Sequence, residues 1–537
     1  MWEKGWRDKV WSDLKQPFDF LIIGGGITGA GILREATRAG YRTLLVEADD
    51  FAAGTSSRSS KLVHGGFRYL KNAQIRITLE SVHERERLLK EGRGLVSPLG
   101  FLLVNYQQDR QPPWIFGAGL MLYDLMALKW GHQHYDAEGM LDLCPQLNPN
   151  GLRGGYRFFD AQTDDARLVL RLLRESVRDG GAALNYAPAI HLLRSRQGEV
   201  KGAVIEDRVT PGAFRTAEVQ AGVVINATGA WADGMRQRIG QRARLRKLRG
   251  SHLVFPARRL PLARAVSILH PRDQRYVFAF PWEGTTIVGT TDVDHAAGLE
   301  IDPAISSEEV AYLMEVVEQA FPEQALTTED VQATFSGVRP VVDTGKADPS
   351  KESREHVLWC EDGLVTVTGG KLTTFRVMAV DALKSACARL SHNGERRSLL
   401  HKRHRVLNEP AGGEILRESL EGATRLRWLG RYGEEAPQVA AAARSGELER
   451  ITTSPSRWAE LRWAARQEAV VHLDDLLLRR VRLGLQLPHG GIDLLGKIQG
   501  IVQPELGWDD MRWEQEAQDY TRLWEKCYYL RKEGGSL

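Results

Sequence analysis

Three glycines and one carboxylate near the start of the chain have the types and spacing to hold a dinucleotide. Gly24, Gly26 and Gly29 fill a GxGxxG pattern: the first permits a tight turn, the second lets backbone approach a pyrophosphate, and the third lets a helix lie close on a strand. Ile27 and Thr28 stand between them, at a helix start whose N–H groups suit phosphate oxygens. Glu47 follows roughly 20 residues later, where a carboxylate accepts hydrogen bonds from a ribose diol. Such residues work only if strands and a helix position them. Phe20-Leu21-Ile22-Ile23 reads as a buried strand, Ile27 to Ala39 as a helix, and Thr43-Leu44-Leu45-Val46 as a second strand ending at Glu47. Taken in that order, these pieces form a nucleotide-binding βαβ unit, a far more specific signal than the glycines alone.

Further stretches belong at the same edge. Gly54 to Lys61, GTSSRSSK, is dense in donors, among them Thr55, Ser56, Ser57 and Lys61, and it follows the second strand at the carboxyl end, where ligands collect. Through Leu62 it leads into His64-Gly65-Gly66, whose glycines permit close approach to a flat ring. Val223 to Asn226 reads as a strand running into the small-residue turn Ala227-Thr228-Gly229. Leu364 to Thr368 reads as another, separated by Gly369-Gly370-Lys371 from a helical segment that opens with Leu372 and Thr373.

At 537 residues and 42% hydrophobic content the chain can bury a large core. A net charge of +3 against 72 basic and 69 acidic residues gives no warrant for a nucleic-acid partner. The four cysteines lie far apart without metal-ligand spacing, which argues for a reduced, intracellular protein with no metal site. No secretory signal and no spanning run is visible. Residues 1–17 set Trp2, Trp6, Val10 and Leu14 four apart, with Trp11 alongside, and fit either a membrane-contact helix or one docked on the protein's own surface. The apolar stretch Trp114 to Leu128 is too short to span a bilayer; it reads first as a buried helix and second as a segment dipping into one face of a membrane.

The motifs GGGITGAG and GTSSRSSKLVHGGFRYL resemble the FAD-dependent, quinone-linked glycerol-3-phosphate dehydrogenases. The likeness continues through TDDARLVL, VVINATGAWAD, RGSHLVFP, FPWEGTTIVGTTDVD, FSGVRP and VTGGKLTTFR, and so covers roughly residues 18–395. It implies an α/β fold with a Rossmann-like FAD-binding domain of the glutathione-reductase or D-amino-acid-oxidase type, an antiparallel-sheet domain covering the substrate, and a C-terminal α-helical domain. The FAD-binding segments would be about 18–75, 151–240 and 336–395, the covering segments about 76–150 and 241–335, and the helical domain 396–537. Ser456 to Leu485 carries apolar residues at helical spacing, so His472, Asp474 and Asp475 are expected on a helix surface.

The resemblance implies oxidation of sn-glycerol 3-phosphate to dihydroxyacetone phosphate, with hydride passing to non-covalent FAD and electrons to a membrane quinone. Gly229, Gly337, Gly370, Lys371, Leu372 and Thr373 would join the cofactor residues above. Lys371, beside a helix N-terminus, would set positive potential at the flavin's pyrimidine end. Arg339 in FSGVRP and Arg354 would bind phosphate, with Arg68, Tyr69 and Lys371 completing the pocket. His252 in RGSHLVFP is the candidate proton acceptor, although Arg339 could instead acidify the hydroxyl while solvent takes the proton. The implied location is cytoplasmic, at the inner face of the cell membrane; a homodimer is compatible with the resemblance. Oxygen-using relatives carry an insertion between FSGVRP and GGKLTT, and here only Val341 to Val367 lies between them. No second GxGxxG unit appears for a nicotinamide cofactor. Two other readings stay open: a same-fold oxidase acting with oxygen or on an amine or amino acid, and a flavin-binding sensor or adaptor.

Overall fold

The strand Phe18–Ile23 is buried along almost its whole length, as a central parallel strand covered on both faces must be. It pairs in parallel with Thr43–Val46 on one side and with Arg215–Asn226 on the other. A computed structural model describes residues 2–66, 75–109, 113–127, 131–209, 215–296, 298–299, 302–346, 352, 355–390, 404–410, 413–417 and 420–530. Among these the first sheet has eight strands. Its main path runs from His356–Glu361 through Leu364–Gly369, Arg215–Asn226, Phe18–Ile23 and Thr43–Val46 to Ala182–Leu184. The helix Ile27–Arg38 buries Ile32, Leu33 and Ala36 and packs on the helices Asp165–Arg178 and Phe375–Cys387. The βαβ unit therefore forms where the sequence places it.

A second sheet of ten strands builds the other lobe. Its strands Leu245–Pro256, Thr285–Gly289, Tyr276–Trp282 and Ala265–Leu269 come from one excursion, and Val96–Tyr106 comes from the other. The expected antiparallel order holds except where Ala265–Leu269 meets Val96–Tyr106 in parallel, because that pairing joins segments from different parts of the chain. Segment boundaries also move. Leu152–Thr163 and Leu62–Val63, expected in the cofactor segments, and Ala333–Val342, which straddles the expected boundary at 335/336, pair into this second sheet. Long-range register, rather than any local pattern, placed them there.

The N-terminal helix Trp6–Asp13 lies on the protein's own surface. Trp2 stacks on Phe51 at 5.0 Å, Trp11 and Leu14 are buried beside Phe18, and Arg7 grips Asp207 at 2.7 Å. These tryptophans are thus committed to the core and are not presented to a membrane. The C-terminal helices Trp458–Gln467, Leu495–Leu506 and Asp510–Cys527 merge their core with the second lobe, Trp524 and Leu477 joining Trp282 and Phe335 in one cluster, while Gly422–Tyr432 packs Trp428 and Tyr432 into a smaller cluster with Ala459 and Trp463. The helix expected over 456–485 ends at Gln467, and a separate π-helical turn covers Asp475–Arg480. Asp475 is buried, contrary to the surface position its helical spacing suggests, because the turn carries it toward Arg479 and Tyr186.

Candidate active site

A cleft of about 620 Å³ runs between the two sheets. At one end, Gly24 holds φ +117°, and a Cβ there would come within 2.5 Å of the Ala227 carbonyl oxygen; a Cβ on Gly29 would overlap the Gly24 carbonyl. These contacts bring strand, helix and the Ala227 turn together around the space a pyrophosphate needs. Gly26, the N-cap of the helix Ile27–Arg38, has no side chain to cap it, and the helix's first N–H, on Ile27, donates to Ser56 Oγ at 2.9 Å. Glu47 Oε2 accepts from Gly25 N–H at 2.6 Å and Oε1 from Asp49 N–H at 3.1 Å. Burial pushes its carboxyl up to about 7, the backbone donors only partly opposing it.

The cleft continues past Thr28, Thr55, Ser56, Leu62 and Gly229 to His64, Gly370, Lys371, Leu372 and Thr373. Thr55 Oγ1 donates to Val338 O at 2.5 Å, tying the hydroxyl-rich loop to the second sheet, and Thr373 Oγ1 donates to His64 O at 3.2 Å. Lys371 precedes a short turn, Leu372–Thr374, and the long helix starts only at Phe375, so the helix terminus lies one turn beyond its expected place. Lys371 Nζ donates to Ser81 Oγ at 3.1 Å.

The substrate end is set by register. Leu245–Pro256 and Ala333–Val342 pair antiparallel, with Gly250 opposite Gly337, His252 opposite Phe335 and Leu248 opposite Arg339. Alternation then puts Gly250, His252, Gly337 and Arg339 on one face, the face that lines the cleft. Ser251 and Ser336 point the other way, bonded to each other at 2.7 Å. His252 stacks on Phe335 at 4.4 Å, and its Nε2 lies 2.9 Å from Ser60 Oγ. Burial, then Lys61, then Arg339 hold the imidazole well below its ordinary pKa, so it is neutral at pH 7. Lys61 Nζ sits 4.6 Å from the Phe335 ring centroid and bonds Asp165 Oδ1 at 3.1 Å; burial, with Arg482 next, pushes it down to about 8.

Four cofactor residues expected from sequence do not line the cleft. Gly29 packs beneath it. The Lys61 side chain and the Ser57 carbonyl face each other in the interior at 3.0 Å, because Asp165 and Arg482 draw that side of the loop inward. Gly65 is buried against Tyr123, its N–H donating to Asp160 Oδ1 at 3.1 Å. Arg68, Tyr69 and Arg354 lie outside the described residues. Sequence reasoning passed over Ser60, Arg58, Trp231 and Arg238, which do line the cleft. Arg58, Ser60 and Trp231 fall inside motifs already singled out; Arg238 carried no local signal. An acid for ribose, a glycine-walled passage for pyrophosphate and a cationic far end together fit FAD.

The comparisons agree with this geometry. Residues 19–376 match the family described as FAD dependent oxidoreductase, and residues 392–513 match the C-terminal domain of alpha-glycerophosphate oxidase. Glycerol-3-phosphate dehydrogenase 2 of Mycobacterium bovis is 34% identical over 96% of this chain and 89% of its own length. The aerobic glycerol-3-phosphate dehydrogenase of Bacillus subtilis is 37% identical over 73% of this chain and 70% of its own. The crystal structure of the glycerol-3-phosphate dehydrogenase from Bacillus halodurans, complexed with FAD, superposes with TM-score 0.75 at 26% identity, covering 98% of both chains. The chain therefore belongs to the FAD-dependent oxidoreductases, in the family of the glycerol-3-phosphate dehydrogenases.

Proposed function

We propose that the chain oxidises sn-glycerol 3-phosphate to dihydroxyacetone phosphate and passes the electrons to a membrane quinone. The observation that carries this reading is the single sheet face that sets His252 and Arg339 in the cleft holding the dinucleotide cradle. Bound FAD supplies the hydride acceptor that no side chain can provide. Arg339 offers a planar fork to the phosphate dianion, and Lys371 adds a second positive charge across the cleft. On the family pattern Arg68, Tyr69 and Arg354 would be further phosphate ligands. His252, neutral and within reach of Ser60, takes the hydroxyl proton as hydride leaves C2. The protein residues thus anchor, orient and deprotonate, while the low dielectric of the buried wall strengthens each contact.

An apolar surface supports the quinone. The helix Pro113–Ala127 buries Phe116, Leu120 and Tyr123 but exposes Met121, Leu122 and Leu125, and the helix packed beside it, Ile75–Glu91, exposes Ile75 and Leu79. The buried face agrees with the core-helix reading of this segment, and the exposed apolar face is where the membrane contact is proposed; Leu128 and the Trp114 side chain lie outside the described residues. Among the described residues no helix is long and apolar enough to cross a membrane, so the contact proposed is peripheral.

Anaerobic mixing of the FAD-loaded protein with glycerol 3-phosphate tests the reading. The flavin band is expected to bleach within the mixing time and to return faster on adding quinone-loaded vesicles than on admitting air. Bleaching by amines or amino acids alone, or by no small metabolite, would overturn it.

A further inference from the structure

We propose that Asp292 is a positioning residue of the substrate site: its buried carboxylate, set between Arg339 and Arg275, aims the Arg339 guanidinium across Gly250 into the cleft. This rests on Arg339 as the phosphate ligand of the proposed reaction. Thr290 lines the cleft and Asp292, two residues on, does not, so the carboxylate stands behind the wall. Its side chain is 1% exposed, whereas those of Arg339 and Arg275 are 26% and 20% exposed. Arg339 Nη2 lies 3.7 Å from Oδ1, and Arg275 Nη2 lies 3.3 Å from Oδ2.

A carboxylate this deep persists only with cationic partners, and those partners are fixed by it in return. The same Nη2 of Arg339 donates to Thr291 O at 2.9 Å, so two adjacent residues set the orientation of the fork. A Cβ on Gly250 would overlap that nitrogen, which therefore passes over bare backbone. The Thr291–Asp292 segment is itself braced. Ser251 N–H donates to Thr291 Oγ1 at 2.9 Å, Thr291 Oγ1 donates to Glu309 Oε1 at 2.6 Å, and Arg249 pairs with Glu309 Oε2 at 2.7 Å. A chain of fixed contacts thus runs from the helix Ser307–Ala320 to the fork. Preorganisation of this kind removes the ordering cost that a mobile arginine would incur on binding an anion.

The test uses the FAD-loaded enzyme and Asp292→Asn. KM for glycerol 3-phosphate is expected to rise about tenfold with kcat within about threefold, and the Kd for inorganic phosphate by calorimetry is expected to weaken in parallel. Unchanged KM and phosphate Kd, or a loss confined to kcat, would overturn the inference. If the asparagine variant does not fold, Asp292→Glu keeps the charge and displaces it by one methylene, and the same outcomes apply. Arg339→Lys separates the two layers. Loss of phosphate binding there but not in the Asp292 variants sinks only the positioning role; no loss in Arg339→Lys sinks the anion-ligand reading beneath it.

Discussion

Glu47 and Asp50 stand three residues apart, one half-buried at the cleft and the other fully buried, and the structure treats them in opposite ways. Glu47 meets backbone N–H groups and the cofactor cleft, and burial raises its carboxyl to about 7. Asp50 faces the seam with the C-terminal helices, where Arg480 reaches it at 2.5 and 2.7 Å and Arg479 at 2.5 Å. Burial alone would raise Asp50 too, but Arg480 and Arg479 outweigh it and hold the group down to about 2. The same division runs through both regions. Along the seam Arg167 grips Glu468, Arg431 grips Asp164, and Arg482 reaches Asp165, all at least nine-tenths buried. The seam pairs its charges largely within the protein, whereas the cleft keeps donors and carboxylates raised by burial, Glu47 and Asp49, for a ligand.

The largest effect should come from breaking the seam. Arg480→Ala leaves Asp50 with fewer cationic partners in the interior and is expected to cost about 3–5 kcal/mol, read as a lowered thermal midpoint. Because the folded pKa of Asp50 is depressed, the stability it contributes is present above the unfolded value near 3.8 and lost as pH falls toward 2. The wild type should therefore lose stability over that acid window, and the variant should show less of this loss.

Next is the cleft. Gly29→Ala places a methyl onto the Gly24 carbonyl, so strand and helix must part where the pyrophosphate binds. FAD affinity, followed by fluorescence on reconstitution of apoprotein, should fall by about a hundredfold or more, with a smaller loss of thermal stability than Arg480→Ala. An unchanged affinity would remove the cradle from its assigned role.

The smallest and sharpest effect concerns Glu47. Its raised folded-state pKa means that, without cofactor, its contribution to stability is present below about 4.5 and lost as pH rises through 7. Ribose hydroxyls donate to the charged form, so FAD binding should release a proton and affinity should rise with pH, levelling above 7. A gain of about tenfold between pH 6 and 8 is expected, one pKa unit being worth a factor of ten. Glu47→Gln should bind FAD more weakly with no such slope, and an equal slope in the variant would assign the proton elsewhere.

How much of this was legible beforehand follows contact range. The cradle was readable because Gly24 to Glu47 is one continuous unit whose parts are neighbours in sequence and in space. His252 and Arg339 were named from their motifs, but nothing local says that they share a sheet face; only the pairing of His252 with Phe335 and Leu248 with Arg339 does so. Lys61 shows the reverse. A lysine in a hydroxyl-rich loop looks like a donor to the cofactor, and its partner Asp165, 104 residues away, turns it inward. Asp475 sat at a helical spacing that suggested surface, and a break after Gln467 buried it.

The sequence by itself determined the βαβ cradle, the dinucleotide it suits and the family whose motifs recur along the chain, because spacing and periodicity are properties of neighbours. Only the tertiary structure decided which charges face the cleft and which close the seam, where the covering sheet draws its strands, and that the N-terminal tryptophans belong to the core. Those outcomes depend on the burial and pairing of residues that are not neighbours in sequence, where a carboxylate's fate is set by the partner that folding brings to it.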